Sequence, residues 1–263
     1  MNVLFIGDIV GRGGREAVKA LVPELKREYN VSFVIANAEN IAAGAGMTAG
    51  CLKDIDCVDV ITAGDHVWDQ KNFESEIKLL PNVLRPANLS RMQPGNGYGV
   101  FRNPLGGEIA VIVLQGKIFM RESAYCPFET VERILAEVSL RTKNIFVDFH
   151  AEATSEKIAM GYFLEGKATA VIGTHTHVQT GDEQILPGGT AYLSDAGMVG
   201  GARSVLGREV EAVLHKFRTG MPCRFPVVEK DIRLDGAIVT FDSRTGRASA
   251  IRRVSRMFLP EKL

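Results

Sequence analysis

Apolar residues gather in short runs along this chain, and each run ends on a polar cluster. Val3–Ile6 is followed by the glycine-rich stretch GDIVGRGG, Val31–Ala36 by Asn37-Ala38-Glu39-Asn40, and Val58–Thr62 by Ala63-Gly64-Asp65-His66. Further on, Ile145–Phe149 runs into His150, Ala168–Ile172 into Gly173-Thr174-His175-Thr176-His177, and Ala191–Leu193 into Ser194-Asp195-Ala196-Gly197. Runs that are apolar on both alternating faces, as Val3–Ile6 is throughout, predict strands of a sheet covered on both faces. Helical spacing of Val18, Leu21, Val22, Leu25 and Tyr29 predicts a helix over Arg15–Tyr29, with Pro23 as a local conflict. A second helix is predicted over about Glu129–Leu140 from Val131, Ile134, Leu135 and Val138. Tyr98–Phe101 and Ile109–Leu114 predict a strand pair around a glycine-containing turn, and Ala237–Phe241 with Ala248–Val254 predict a hairpin. Only Gly200–Asp235 lacks a rhythm, and it is expected to form a lid or a subunit contact. The whole chain, 1–263, is expected to be a single α/β domain.

Charge narrows the partners. Lys+Arg and Asp+Glu both number 31, so no basic excess favours a long nucleic acid, and a small charged substrate is the expected partner. The apolar run at the N-terminus is too short for a signal peptide, and no run approaches the roughly 18 apolar residues of a membrane span, so no membrane partner is expected. Cys51, Cys57, Cys126 and Cys223 form no CxxC pair; reduced, mostly buried thiols in a cytoplasmic protein are expected.

The chemistry lies in where the polar residues fall. In open α/β sheets ligands bind beyond the carboxyl ends of the strands, where the loops converge. Asp8, Glu39-Asn40, Asp65-His66, His150 and His175/His177 all stand at such ends, and of the five histidines only His215 does not. Singly, each has a plain explanation as a cap, a turn residue or a core histidine. The His-Thr-His pair, if it continues a strand, points both rings to one face. Seven candidate ligands (Asp8, Glu39, Asn40, Asp65, His150, His175, His177) exceed the three protein ligands of a typical catalytic zinc site, so two metals are predicted. Oxygen and imidazole donors without thiolate suit manganese, iron or zinc. Such a pair would clamp a phosphate and supply a hydroxide for in-line attack on phosphorus, with His66 free to protonate the leaving oxygen. Gly11, Gly13, Gly14, Gly44 and Gly46 would let backbone amides approach substrate, and Arg12 and Thr48 are candidate phosphate contacts.

The segments FIGDIVGRGGRE, ANAENIAAGAGMT, ITAGDHVWDQK, RPANL, VDFHAEATSEKIAMGYFLEGKATAVIGTHTHVQT and YLSDAGMVG follow one another in this order. They resemble the calcineurin-like metallophosphoesterase superfamily, and within it the YmdB-like branch, associated with hydrolysis of 2′,3′-cyclic nucleotides. The resemblance implies an α/β metallophosphoesterase-like sandwich of two mixed sheets flanked by helices. It implies a first metal on Asp8, Glu39, Asn40 and His177, and a second on Asp65, His150 and His175, with Glu39 bridging and His66 as acid. Where the wider superfamily usually carries a histidine, this chain has Val10, as the YmdB-like branch does, and Asn40 takes its place. Where the family motif usually reads Gly-Asn-His, this chain has Gly64-Asp65-His66. The added charge is expected to bind cations more tightly and to weaken them as Lewis acids.

Two other folds fit worse. A dinucleotide-binding loop would need a different glycine spacing and an earlier acid than Glu39. A TIM-barrel hydrolase would place its His-x-His on an early strand, and the strand pair around residues 103–107 breaks strict βα alternation. The expected function is therefore a phosphodiesterase using two divalent or trivalent ions (Fe, Mn or Zn) on a small phosphodiester, as a homo-oligomer. The alternative is a catalytically weak metal- and nucleotide-binding regulatory protein of the same fold.

Overall fold

Val3 and Phe5 face one way from the first strand, Leu4 and Ile6 the other, and all four are buried. The computed structural model, which describes residues 1–121 and 123–258, shows two sheets packed face to face with helices on both outer sides. The first sheet runs Asp8–Ile9, Met198–Gly201, Ile232–Phe241, Asn2–Ile6, Val31–Asn37, Val60–Thr62, Val83–Leu84, and Ala248–Phe258 also pairs with Ile232–Phe241. The second runs Gln184–Ile185, Ala191–Leu193, Ala170–Thr174, Ile145–His150, Glu108–Gln115, Tyr98–Arg102. The first is parallel from Asn2–Ile6 out to Val83–Leu84, with Ile232–Phe241 antiparallel to its neighbours inside the sheet; the second is parallel at its centre and antiparallel at both margins. This is the sandwich of two mixed sheets that the sequence predicts.

The alternation within each strand feeds separate cores. Val3, Phe5, Phe33, Ile35 and Val60 meet Ile109, Val111, Val113, Phe146 and Ile172 between the sheets. Leu4, Ile6, Val34 and Ala36 pack outward against Val18, Val22 and Leu25 of the helix Gly11–Glu28. On the far side Ile112, Leu114 and Val147 pack against Val131, Ile134 and Val138 of the helix Pro127–Val138, and against Met160 of the helix Thr154–Phe163. Each such side chain contributes about 1.5–3 kcal/mol on burial, so the central strands are the most firmly fixed part of the molecule. Their carboxyl ends share one rim: His150 lies in register with Thr174, and Asn37 with Thr62.

Several elements differ from expectation. The helix expected from Arg15 begins at Gly11, so Gly11, Gly13 and Gly14 lie inside it and not in a phosphate-cradling loop. Its first amides need acceptors, and no neighbouring side chain caps them. Glu229 does so from far along the chain, accepting from the amides of Arg12 (3.2 Å) and Gly13. The helix runs through Pro23. Thr154–Phe163 is a helix that the spacing did not reveal, and the stretch expected to be loose carries the helix Val210–Thr219. The cysteines are free, but Cys51, Cys57 and Cys126 are half-buried and Cys223 is exposed, less buried than expected. No helix among the described residues is long and apolar enough to cross a membrane.

Candidate metal centre

The seven candidate ligands meet at that rim. Glu39 and Asn40 follow the strand Val31–Asn37, Asp65 follows Val60–Thr62, His150 ends its own strand, and His175 and His177 follow Ala170–Thr174. Asp8 opens the short strand Asp8–Ile9. Glu39, Asp65, His150 and His175 each offer a ligand atom, and these atoms lie within 4.8 Å of one another. His150 Nε2 stands 3.1 Å from both Glu39 Oε1 and Asp65 Oδ1. His175 Nδ1 is 3.1 Å from His150 Nε2 and 3.4 Å from Asp65 Oδ1. Beside them Asn40 Nδ2 lies 3.2 Å from His177 Nε2 and 3.3 Å from Glu39 Oε1, with Asp8 Oδ1 3.8 Å from His177 Nε2. Glu39 therefore touches both groups. Gly64 makes the crowding possible, because any Cβ there would overlap the His150 ring.

Each of the three histidines is pinned outward by one ring nitrogen and offers the other inward. His150 Nδ1 is 2.9 Å from Thr174 Oγ1, whose hydroxyl donates to the buried Asp148 Oδ1 at 2.6 Å. Thr174 must then accept from His150, which fixes the proton on Nδ1 and leaves Nε2 as a donor atom. His175 turns Nε2 to Glu152 Oε2 (3.1 Å) and Nδ1 to the cluster. His177 turns Nδ1 to the carbonyl of Leu206 (3.3 Å) and Nε2 to Asp8 and Asn40. Glu152, Asp148, Thr174 and Thr62, whose hydroxyl also donates to Asp148, escape sequence reasoning because their role exists only through these contacts.

The His-Thr-His pair does not continue a strand, contrary to expectation. The strand ends at Thr174, and His175 and His177 have φ of 101° and 64°, the left-handed region that L side chains seldom occupy. The turn is held by Asp195, whose Oδ2 accepts from the Thr176 amide (3.1 Å) and hydroxyl (2.8 Å). Lys157 Nζ completes the clamp at 2.8 Å from the same oxygen, and both side chains are almost fully buried. Removing one partner of a buried pair strands the other charge, at a cost of about 3–5 kcal/mol. Lys157→Met is accordingly expected to lower unfolding free energy by about that amount in urea titrations, and a loss under 1 kcal/mol would refute the clamp.

The electrostatics fit cations. Burial, with the nearby charges of Glu39 and Asp195 outweighing the opposing His150, pushes Asp8 up to about 8. Its Oδ1 is buried and makes no hydrogen bond among the described residues. Burial also opposes ionisation of Asp65, yet hydrogen bonds from His150 and His175 hold it well below the ordinary carboxylate range. His150 is held up by Glu39, Asp65 and Asp8 against its own burial. An orphaned buried carboxylate oxygen among converging oxygen and imidazole donors, with no thiolate, matches manganese, iron or zinc. Without a cation, Asp8 and His150 hold protons that the unfolded chain releases as pH rises, so their contribution to stability falls from pH 5 to 8. A bound metal displaces those protons. The rise in Tm on adding Mn²⁺ is therefore expected to grow between pH 5 and 8; a constant increment would count against these ligands.

His66 stands apart from the ligand cluster. Its Nδ1 is 2.7 Å from Asp69 Oδ2, and its amide donates to Glu39 Oε2 at 3.1 Å. Burial would lower its pKa, but the charge of Glu39 and the hydrogen bond to Asp69 hold it above the ordinary histidine value. It borders a cavity of about 400 Å³ together with Glu39, Asn40, Glu152, His175 and His177. Arg12 and Thr48 do not reach this cavity. Arg12 pairs with Glu16 on an exposed helix face, and Thr48 caps the short helix Ala49–Leu52 by accepting from the Cys51 amide. Gly44 borders the cavity, but its carbonyl is taken by Arg208, and Gly46 takes a left-handed turn.

Known proteins resemble this chain along nearly its whole length. A family model described as YmdB-like protein matches residues 4–254. The 2′,3′-cyclic-nucleotide 2′-phosphodiesterase of Bacillus subtilis (strain 168) is 44% identical over 256 residues, which is 97% of this chain and 96% of that protein. The crystal structure of a novel phosphatase from Mycoplasma pneumoniae superposes with a TM-score of 0.89 at 30% identity, over 98% of this chain and 93% of that one. The calcineurin-like phosphoesterase YfkN of Bacillus subtilis gives a TM-score of 0.52 at 10% identity, over 98% and 90% of the two chains, a likeness of fold alone.

Proposed function

The chain belongs to the YmdB-like protein family, and on that premise we propose that it is a dinuclear-metal phosphodiesterase acting on small phosphodiesters, 2′,3′-cyclic nucleotides first among them. The observation that carries this is the set of three histidines, each tethered outward and turned inward onto Asp8, Glu39 and Asp65. Asp8, Asn40 and His177 would hold one metal, Asp65, His150 and His175 the other, and Glu39 both. When bound, the pair would supply Lewis acidity and a water made nucleophilic at neutral pH. The chain's own part is to hold this set rigid and to deliver a proton. Thr174, Glu152 and Leu206 fix the three rings, and Asp195 with Lys157 fixes the turn that carries two of them. Asp69 holds His66 at the cavity with Nδ1 engaged, leaving Nε2–H to protonate the departing ribose oxygen. The free thiols suit a reducing compartment, and we place the protein in the cytoplasm.

The test is hydrolysis of 2′,3′-cyclic AMP by Mn²⁺-loaded protein, with and without chelator. Turnover that stops with chelator and is absent in His150→Ala supports the proposal. A second possibility has a specific observation behind it: Asp65 places a full negative charge between His150 and His175. Metal bound in full, with no turnover of any phosphodiester, would instead favour a metal- and nucleotide-binding regulatory protein.

A further inference from the structure

The cavity beside the ligand cluster has two unlike sides. One part of its lining is polar, made by Glu39, Asn40, His175 and His177 of the candidate ligands together with His66. The other part is an apolar wall: Val10, Val205, Leu206, Val213, Phe217 and Phe225. Five of these six belong to the segment between the strands Met198–Gly201 and Ile232–Phe241. Phe217, on the helix Val210–Thr219, is 77% exposed, and Leu206 and Phe225 are also open to solvent.

This wall is fastened to the polar part. Arg208 donates to the carbonyls of Phe225 (3.1 Å) and Gly44, tying the segment to the loop that follows Asn40. The Glu209 amide donates to the Pro226 carbonyl (3.0 Å), and the Val228 amide to that of Gly207 (2.9 Å). The Leu206 carbonyl is the group that orients His177. The apolar surface therefore stands at a fixed place beside the polar, phosphate-directed lining. Arg208 is the one lysine or arginine lining the cavity among the described residues, and its guanidinium is committed to backbone carbonyls.

Building on the phosphodiesterase proposal, we infer that Phe217 and Phe225 form the surface on which the substrate's nucleobase stacks, and that this surface accepts all four bases with little discrimination. A cavity of about 400 Å³ lies within the roughly 300–1,000 Å³ of small-molecule sites. Aromatic faces stack any base, because every base has a π-face. Discrimination would need side-chain donors and acceptors aimed at the base edge, and an apolar wall distinguishes isosteres only weakly. A phosphodiester lacking a base would leave the wall wet and bind less well.

The test compares kcat/KM of the Mn²⁺-loaded protein for the four 2′,3′-cyclic nucleotides and for glycerol 1,2-cyclic phosphate, which has no base. The four nucleotides are expected to agree within about tenfold, and each to exceed the glycerol compound by about tenfold or more. Phe217→Ala, at an exposed position that should not disturb folding, is expected to cut the nucleotide-to-glycerol ratio about tenfold through KM, and Phe217→Trp to keep it. Parallel losses on both substrates, an unchanged ratio, or a preference above a hundredfold for one base would overturn the inference. If wild-type protein turns over none of the five compounds, the phosphodiesterase proposal fails. The inference is then read from binding of adenosine 3′-monophosphate against glycerol 2-phosphate. Tighter nucleotide binding that Phe217→Ala weakens upholds it, and equal binding of the two overturns it.

Discussion

Glu39→Gln is expected to lower phosphodiester hydrolysis at least about a thousandfold and to reduce the bound metal from two ions per chain. Metal polarisation is worth several kcal/mol of transition-state charge, and each 1.36 kcal/mol is about tenfold in rate. Glu39 reaches side chains of both groups, with Oε1 3.1 Å from His150 Nε2 and 3.3 Å from Asn40 Nδ2. An amide has the same shape but one fewer anionic charge, so folding should survive while the bridge is lost. Equilibrium dialysis with metal analysis, beside rates at saturating Mn²⁺, measures both effects. Full metal content with near-normal rates would mean that Glu39 bridges nothing.

His66→Ala should show the opposite pattern: two metals retained, and turnover of 2′,3′-cyclic AMP down by about 10²–10⁴-fold, the usual worth of general acid catalysis. The ring is held by Asp69 at the mouth of the cavity, outside the group of converging ligand atoms. A proton donor matters only when the leaving oxygen is a poor leaving group. The loss should therefore shrink on bis(4-nitrophenyl) phosphate, whose nitrophenolate departs without a proton. Equal losses on both substrates would assign His66 to structure or binding.

The positions of the candidate ligands were legible in the sequence because strand ends mark themselves: an apolar run stops, and the polar cluster just after it stands at the rim. Asp8, Glu39, Asp65, His150 and His175 all declare themselves in this way. The layered architecture was legible for a related reason, since Val3-Leu4-Phe5-Ile6 is apolar throughout only if both faces are covered. What supports those ligands was not legible. Asp195 secures the His-Thr-His turn across the sheet, and Glu229 caps the first helix from more than 200 residues away. No local pattern reports such contacts. The glycines of GDIVGRGG misled for a physical reason: a remote carboxylate lets a helix start where the local residues suggest a loop. Arg12 and Thr48 lie close to glycines in the sequence, but their neighbours Glu16 and Cys51 engage them. The apolar wall was invisible because Phe217 and Phe225 lie in a stretch without rhythm, and only the fold brings them beside the ligands.

The most direct measurement is an anomalous difference map from crystals of the protein grown with Mn²⁺. Two peaks are predicted, one among Asp8, Asn40 and His177 and the other among Asp65, His150 and His175, with the Glu39 carboxylate between them. A single peak, or manganese bound away from these residues, would contradict a dinuclear centre and the phosphodiesterase chemistry built on it.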